Sequence, residues 1–318
     1  MGKEKSIAFN ADSFKKMYSE YGIVMVLVLL IIIATIMNPI FIGTNNIINV
    51  LRQVSINGIL SIGMTFVIIS GCIDLSVGST LGCTGLIVMI LMQKFGMVPA
   101  ILAGLCFGLL VGLFNGLGVH NGLPAFIMTL ATQQMVKGLA YVISNGQPFA
   151  ASDEAYKFVG QGFFLGVIPM PVVIFSVLVV IAWFVLTRTR IGRSVYATGG
   201  NKEASRLSGI NIRNTRVFAY MVSGVMAATA AIVLTSRLYS CDPLTGDNYH
   251  SDAIAATVIG GCSMAGGEGS VLKTVVGVLI IGIISNILNL MQVSSYLQMI
   301  AKGFIIFLAV AIDVWKNK

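Results

Sequence analysis

Asp74 is the sole carboxylate in Ser70-Gly-Cys-Ile-Asp-Leu-Ser-Val-Gly-Ser79, a polar stretch punctuated by glycine and set between apolar runs. An ionised group in such surroundings is costly unless it is paired or wetted, which marks it as a functional candidate. The alternative is structural: Asp74 or Ser76 could accept amide hydrogen bonds at the start of the next helix. In Thr129-Leu-Ala-Thr-Gln-Gln-Met-Val-Lys137, Gln133 and Lys137 stand four residues apart and share a helical face, a possible polar seam. Lys137 could equally snorkel towards an interface, and Lys302, beside Gly303, could do the same or pair with a carboxylate or a helix end of a neighbouring segment. Other chemistry finds little footing. The nearest text to a nucleotide-binding loop is Gly266-Gly-Glu-Gly-Ser-Val-Leu-Lys-Thr274, where Leu272 stands in place of the glycine before Lys273, so the chain is not expected to bind ATP itself. Neither an HExxH nor an Asp-rich cluster occurs, which leaves an enzyme without a catalytic constellation. Cys72, Cys83, Cys106, Cys241 and Cys262 form no CxxC pair, and His120 and His250 are far apart in sequence. We therefore expect small buried thiols and neither metal nor cofactor.

The chain that carries these groups has 318 residues, 56% hydrophobic and 10% charged, with mean hydropathy +0.91. A soluble domain averages roughly 25% charged residues, so neither a soluble globule nor a disordered chain fits. Thirty-five glycines without a three-residue period exclude collagen and suit helices packed closely in lipid. The class is an all-α polytopic membrane protein. Its net charge of +8 argues poorly for nucleic acid, because placement matters more than the sum.

Ten apolar runs are long enough, alone or with their flanks, to cross a bilayer: 21–40, 54–70, 76–92, 97–119, 125–144, 163–187, 217–236, 253–261, 271–291 and 297–315. The first lacks a cleavage site and is read as a retained span. If the basic N-terminus is cytoplasmic, 14 of the 20 lysines and arginines fall inside. Arg52, Lys94, Lys157 and Arg237 fall outside, and Lys137 and Lys302 lie within spans. That asymmetry agrees with the positive-inside rule and places both termini in the cytoplasm. The organisation is then a cytoplasmic segment 1–20, a transmembrane unit 21–315 with one large cytoplasmic loop 188–216, and a short tail 316–318. Neither that loop nor the external 145–161 is long enough for a domain. Tyr249 and Tyr296, near span ends, are expected as interface anchors.

The loop 188–216 holds seven basic residues and one acid, Glu203, and its stretch 201–208 could form a short amphipathic helix. It either docks a cytoplasmic partner or merely fixes topology. Glycine and polar residues break the apolar pattern twice, at 70–79 and at 260–270, each time after a run ending in isoleucine. Irregular backbone at membrane depth must be buried in protein or line a watery cavity, so the two breaks suggest a substrate path or, more simply, tight turns. Asp74, Ser76, Thr129, Gln133 and Lys137 are its candidate residues.

At these residues the sequence resembles a known family, the inner-membrane permease of ribose-type ABC sugar importers. The resemblance runs from about residue 40 to 313 and includes Gly63-Met-Thr-Phe-Val-Ile-Ile-Ser-Gly-Cys-Ile-Asp-Leu-Ser-Val-Gly-Ser79 and Asn121-Gly-Leu-Pro-Ala-Phe-Ile-Met-Thr-Leu130. It continues through Ile191-Gly-Arg193, Gly199-Gly-Asn201, Glu203-Ala-Ser-Arg-Leu-Ser-Gly-Ile-Asn211, Asp252-Ala-Ile-Ala-Ala-Thr-Val-Ile-Gly-Gly261 and Val293-Ser-Ser-Tyr296. It implies a bacterial inner-membrane subunit that moves a pentose, hexose or related polyol by alternating access. It also implies a second permease copy, identical or related, a cytoplasmic ATPase below and an extracytoplasmic sugar-binding protein above, with membrane lipid around. Glu203, Ala204 and Gly209 match the spacing of the EAAxxxG signature whose helix fits a cleft of the ATPase, with Ser205 replacing the second alanine. Gly199, Asn201 and Arg206 complete the expected coupling element. An ion-coupled secondary carrier is the competing reading, and it would need more ionisable groups along its path than Asp74, Lys137 and Lys302.

Overall fold

The computed structural model describes residues 11–316, with side chains described for 22–311 and 313–315. Ten helices fall on the ten expected runs: α1 Ala11–Met37, α2 Thr44–Ile69, α3 Val77–Phe95, α4 Met97–His120, α5 Ala125–Ser144, α7 Met170–Arg188, α10 Ile212–Leu238, α11 Tyr249–Ile259, α12 Val271–Leu290 and α13 Ser295–Lys316. Three short ones lie between them, α6 Lys157–Gln161, α8 Arg190–Gly200 and α9 Lys202–Leu207. Helix is the natural solution for such a chain, because lipid offers no partner to an open backbone. Among the described residues seven of these helices are long and apolar enough to cross a membrane. Of the other three, α1 is apolar over the shorter Gly22–Met37, α5 falls short because Thr132, Gln133, Gln134 and Lys137 lower its hydropathy, and α11 because it has 11 residues.

α2 is the central post, buried almost continuously from Val54 to Ile69. Around it stand α10, α11, α12 and α7. α10 lies flush against α4, whose Gly108, Gly112 and Gly116 recur every fourth residue and so form one bare stripe. A Cβ at Gly112 would meet the Tyr220 carbonyl and sit 2.9 Å from the Met221 Cα. The small-residue stripe is thus what lets two backbones approach where lipid supplies no hydrophobic drive.

Besides α1, which begins at Ala11 within the expected segment 1–20, and α10, which begins at Ile212 within the expected loop 188–216, three boundaries differ from the sequence expectation. α2 starts ten residues before Val54, because polar residues in its first turns find partners. Asn46 exchanges amide hydrogen bonds with Asn286 of α12 at 2.9 and 3.0 Å. Arg52, expected in an external loop, donates to the Gln161 carbonyl and covers the Phe163 ring at 5.0 Å. Residues 163–169, expected at the head of a span, instead form a hairpin in which β2 Phe163–Phe164 pairs antiparallel with β3 Ile168–Pro169. Its turn uses Leu165 and Gly166 at φ 51° and 74°, and Pro169 then caps α7. The span expected at 253–261 is a helix begun at Tyr249 and reached by a non-helical segment. That segment starts at β4 Ser240–Cys241, paired with β1 Phe149–Ala150, and runs down α3, with the Thr245 and Gly246 carbonyls against Gly82 and Gly78. Tyr249, expected as an interface anchor, therefore packs on the core, whereas Tyr296 is 81% exposed.

Candidate functional site

Asp74 sits in the break between α2 and α3, 1% exposed. Its Oδ1 accepts from the Ser76 amide at 3.0 Å and the Ser76 hydroxyl at 2.6 Å, and its Oδ2 accepts from the Ser223 hydroxyl of α10 at 2.8 Å. Asn115 of α4 donates to the Ser76 hydroxyl at 2.8 Å, and Tyr220 of α10 to the Ile73 carbonyl at 2.9 Å. A side-chain knot thereby ties irregular backbone to two helices, and every carboxylate oxygen has a donor. Ser76 holds the cap position of α3 without a side-chain cap bond. The capping alternative is thus met by Asp74, which reaches forward to accept from the Ser76 amide. Thr129 is buried too and bonds the Ala125 carbonyl one turn back.

Gln133 and Lys137 lie on the part-exposed face of α5. Lys137 pairs with Asp247 at 2.8 Å, the two side chains 31% and 42% exposed, so a partner replaces snorkelling. Lys302 likewise finds a carboxylate, Asp252 at the start of α11, at 2.8 Å. Of the five residues expected along a path, Asp74, Ser76 and Thr129 are enclosed within the subunit and Gln133 and Lys137 face outward. Sequence reasoning missed Ser223, Asn115, Tyr220 and Asp247. The signal for the first three was simply polar side chains inside apolar helices.

The expected short helix of the loop 188–216 is α9, capped by Asn201, whose Oδ1 accepts from the Ala204 amide at 2.9 Å. Only Ser205 of α9 is buried, while Glu203 and Arg206 pair at 3.2 Å on the open side and Leu207 is 82% exposed. Gly209 follows at φ 79°, and the amides of Gly209 and Ile210 close on the Arg206 and Ser205 carbonyls. Gly71 ends α2 and Gly261 ends α11 by the same stop, which needs a left-handed residue. The Gly-Cys shared by the two breaks is therefore a helix ending that recurs elsewhere in the chain. Gly199 faces inward, onto the end of α2, rather than outward with α9.

Seven long apolar helices, two irregular breaks, one around the buried Asp74 and one part exposed over 261–270, and one exposed capped helix on a basic loop describe a multi-pass membrane protein. Residues 46–310 match the family described as branched-chain amino acid transport system / permease component. The chain belongs to this permease family. It is 45% identical over 296 residues to the ribose import permease protein RbsC of Haemophilus influenzae, covering 90% of each chain. It is 43% identical over 308 residues to RbsC of Bacillus subtilis, covering 96% of this chain and 95% of the relative. The D-allose transport system permease protein AlsC of Escherichia coli is 37% identical over 309 residues, 95% of this chain and 93% of the relative. No solved structure matches. The permease is a multi-pass protein of the bacterial inner membrane and a transport subunit of an ABC importer, not an enzyme; hydrolysis belongs to a separate ATPase. Membership in the family also sets aside the ion-coupled carrier.

Proposed function

We propose that this permease imports a monosaccharide, a ribose-like pentose, hexose or related polyol, by alternating access between two copies of the chain or a copy and a close paralogue. The reading is carried by the near full-length likeness to a ribose permease at 45% identity. All ten long runs cross the membrane, α11 as a half helix completed by 242–248, and both termini lie in the cytoplasm. Arginines and lysines gathered in 188–216 support that orientation.

In this arrangement α9 is the coupling helix. Glu203, Ala204, Arg206 and Gly209 meet a cleft of the ATPase, Asn201 holds the helix in register, and the exposed Leu207 supplies an apolar anchor. The translocation path runs along the outer face of α5. Lys137 and Asp247 are charged and part exposed at membrane depth, a position that lipid does not tolerate and water does. That face lies on the outside of one subunit, so enclosing a path requires a second. Gln133 continues the path one turn away, and Asp74, Ser76 and Thr129 brace its wall from behind. A sugar-binding protein delivers the ligand from outside, and ATP must bias inward and outward forms differently, because a ligand that binds both equally shifts neither.

Affinity purification in mild detergent followed by mass spectrometry tests the assembly. An ATPase subunit should accompany the permease and be lost from a Glu203→Arg, Gly209→Trp double variant. A chain recovered alone that still transports would refute the reading.

A further inference from the structure

The two breaks in the helix pattern meet each other, and they meet at the foot of the coupling loop. The Gly267 amide of the α11–α12 loop donates to the Ile69 carbonyl at the end of α2, 2.8 Å. The last turn of α8 lies on this joint. A Cβ on Gly199 would fall on the Ile69 carbonyl and 2.5 Å from the Gly267 nitrogen, about 1 Å inside ordinary contact. Gly266 and Gly71, both at positive φ, fill the other side: a Cβ on Gly266 would lie 2.8 Å from the Gly71 Cα and 2.9 Å from the Gly199 carbonyl oxygen. Tyr196, one turn back on α8, donates to the Gly269 carbonyl at 2.8 Å. At Gly71, Gly199, Gly266 and Gly267 three chain segments thus touch backbone to backbone. α9 begins two residues after Gly200, with Asn201 as its cap.

We infer that Gly199 is the positioning residue through which movement of the coupling helix reaches both broken segments at once, its bare backbone pressing on Ile69 of one and Gly267 of the other. Side chains between moving parts absorb displacement by changing rotamer; backbone against backbone has no such slack, and packed contacts of this kind switch between discrete arrangements rather than deform. From Ile69 the push enters residues 70–76 and the Asp74 knot. From Gly267 it enters the loop that opens α12. The inference rests on the proposal that α9 docks the ATPase.

The test uses the whole importer in proteoliposomes, with ATPase and binding protein, reading radiolabelled ribose taken up per ATP hydrolysed. Gly199→Ala should keep the ATPase bound and hydrolysing while uptake per ATP falls about tenfold, the scale of a typical coupling free energy. Gly200→Ala is the matched control: the same change one residue along, whose Cβ would meet nothing nearer than the Gly267 Cα at 3.9 Å, should couple as wild type. Unchanged coupling in Gly199→Ala, or equal loss in Gly200→Ala, overturns the inference. If Gly199→Ala fails to assemble, Tyr196→Phe decides, since it deletes one bond and adds no atom. A lowered ratio supports the joint and an unchanged one refutes it. The Glu203→Arg, Gly209→Trp variant separates the two ideas: if it retains the ATPase, the docking proposal fails; if it loses the ATPase while Gly199→Ala couples normally, only the inference made here fails.

Discussion

Replacing Asp74 by leucine removes three accepted hydrogen bonds at once, from the Ser76 amide, the Ser76 hydroxyl and the Ser223 hydroxyl. The Ser223 hydroxyl can turn, since four residues after Ala219 on α10 it can bond that carbonyl as Thr215 and Thr229 do theirs. The two bonds from Ser76 are lost, and hydrogen bonds to a charged group contribute about 1.5–3 kcal/mol each. With two bonds lost, Asp74→Leu should cost about 3–6 kcal/mol, whereas Asp74→Asn keeps an oxygen for Ser76 and should cost about 1–2 kcal/mol. At roughly 2–4 °C per kcal/mol, the apparent Tm in mild detergent should fall by about 10 °C or more for leucine and by a few degrees for asparagine. The assay is thermal unfolding followed by size-exclusion fluorescence, with ribose uptake measured in parallel. Asp74→Asn should retain most uptake, because the account assigns the carboxylate to bracing and not to passage. A leucine variant as stable as wild type would refute the knot. An asparagine variant of normal stability that no longer transports would show that the charge itself meets the ligand.

Other expectations are simpler. Lys137→Glu should lower uptake about tenfold without loss of folded protein, and adding Asp247→Lys should recover a large part, since the swapped pair restores the attraction; no recovery would remove the pair from the path. Gly112→Ala should lower the Tm by an amount corresponding to about 1–3 kcal/mol of overpacking between α4 and α10, whereas Gly138→Ala, inside α5 with no neighbour within 4 Å, should leave it unchanged or raise it slightly. Glu203→Arg with Gly209→Trp should abolish co-purification of the ATPase yet lower the Tm by only a few degrees, because both positions are exposed and the cost is that of a non-glycine residue at the left-handed Gly209, about 1–2 kcal/mol; a larger drop in Tm would make them structural.

What the sequence disclosed and what it withheld divide along contact range. The helices were legible because twenty apolar residues have few other uses, and α9 because Asn201 and Gly209 are local start and stop signals. The break around Asp74 was legible as a break, but its meaning was not, since Ser223 lies 149 residues away. α2 began early because the polar residues that argued against a span were satisfied by α12 and by the Gln161 carbonyl. The run of turns before α11 could not be foreseen either, because its fit depends on Gly78 and Gly82 of α3 leaving room for the Gly246 and Thr245 carbonyls. The joint at Gly199 combines three segments, and pattern along one chain does not register such a meeting.

The central claim is that this chain is the membrane-spanning part of an ATP-driven sugar importer. The most direct measurement is uptake of radiolabelled ribose into proteoliposomes holding the permease, with the partner ATPase and binding protein each added or withheld. The account predicts accumulation only when both partners and ATP are present. Accumulation by the permease alone, driven by a sodium or proton gradient, would contradict it.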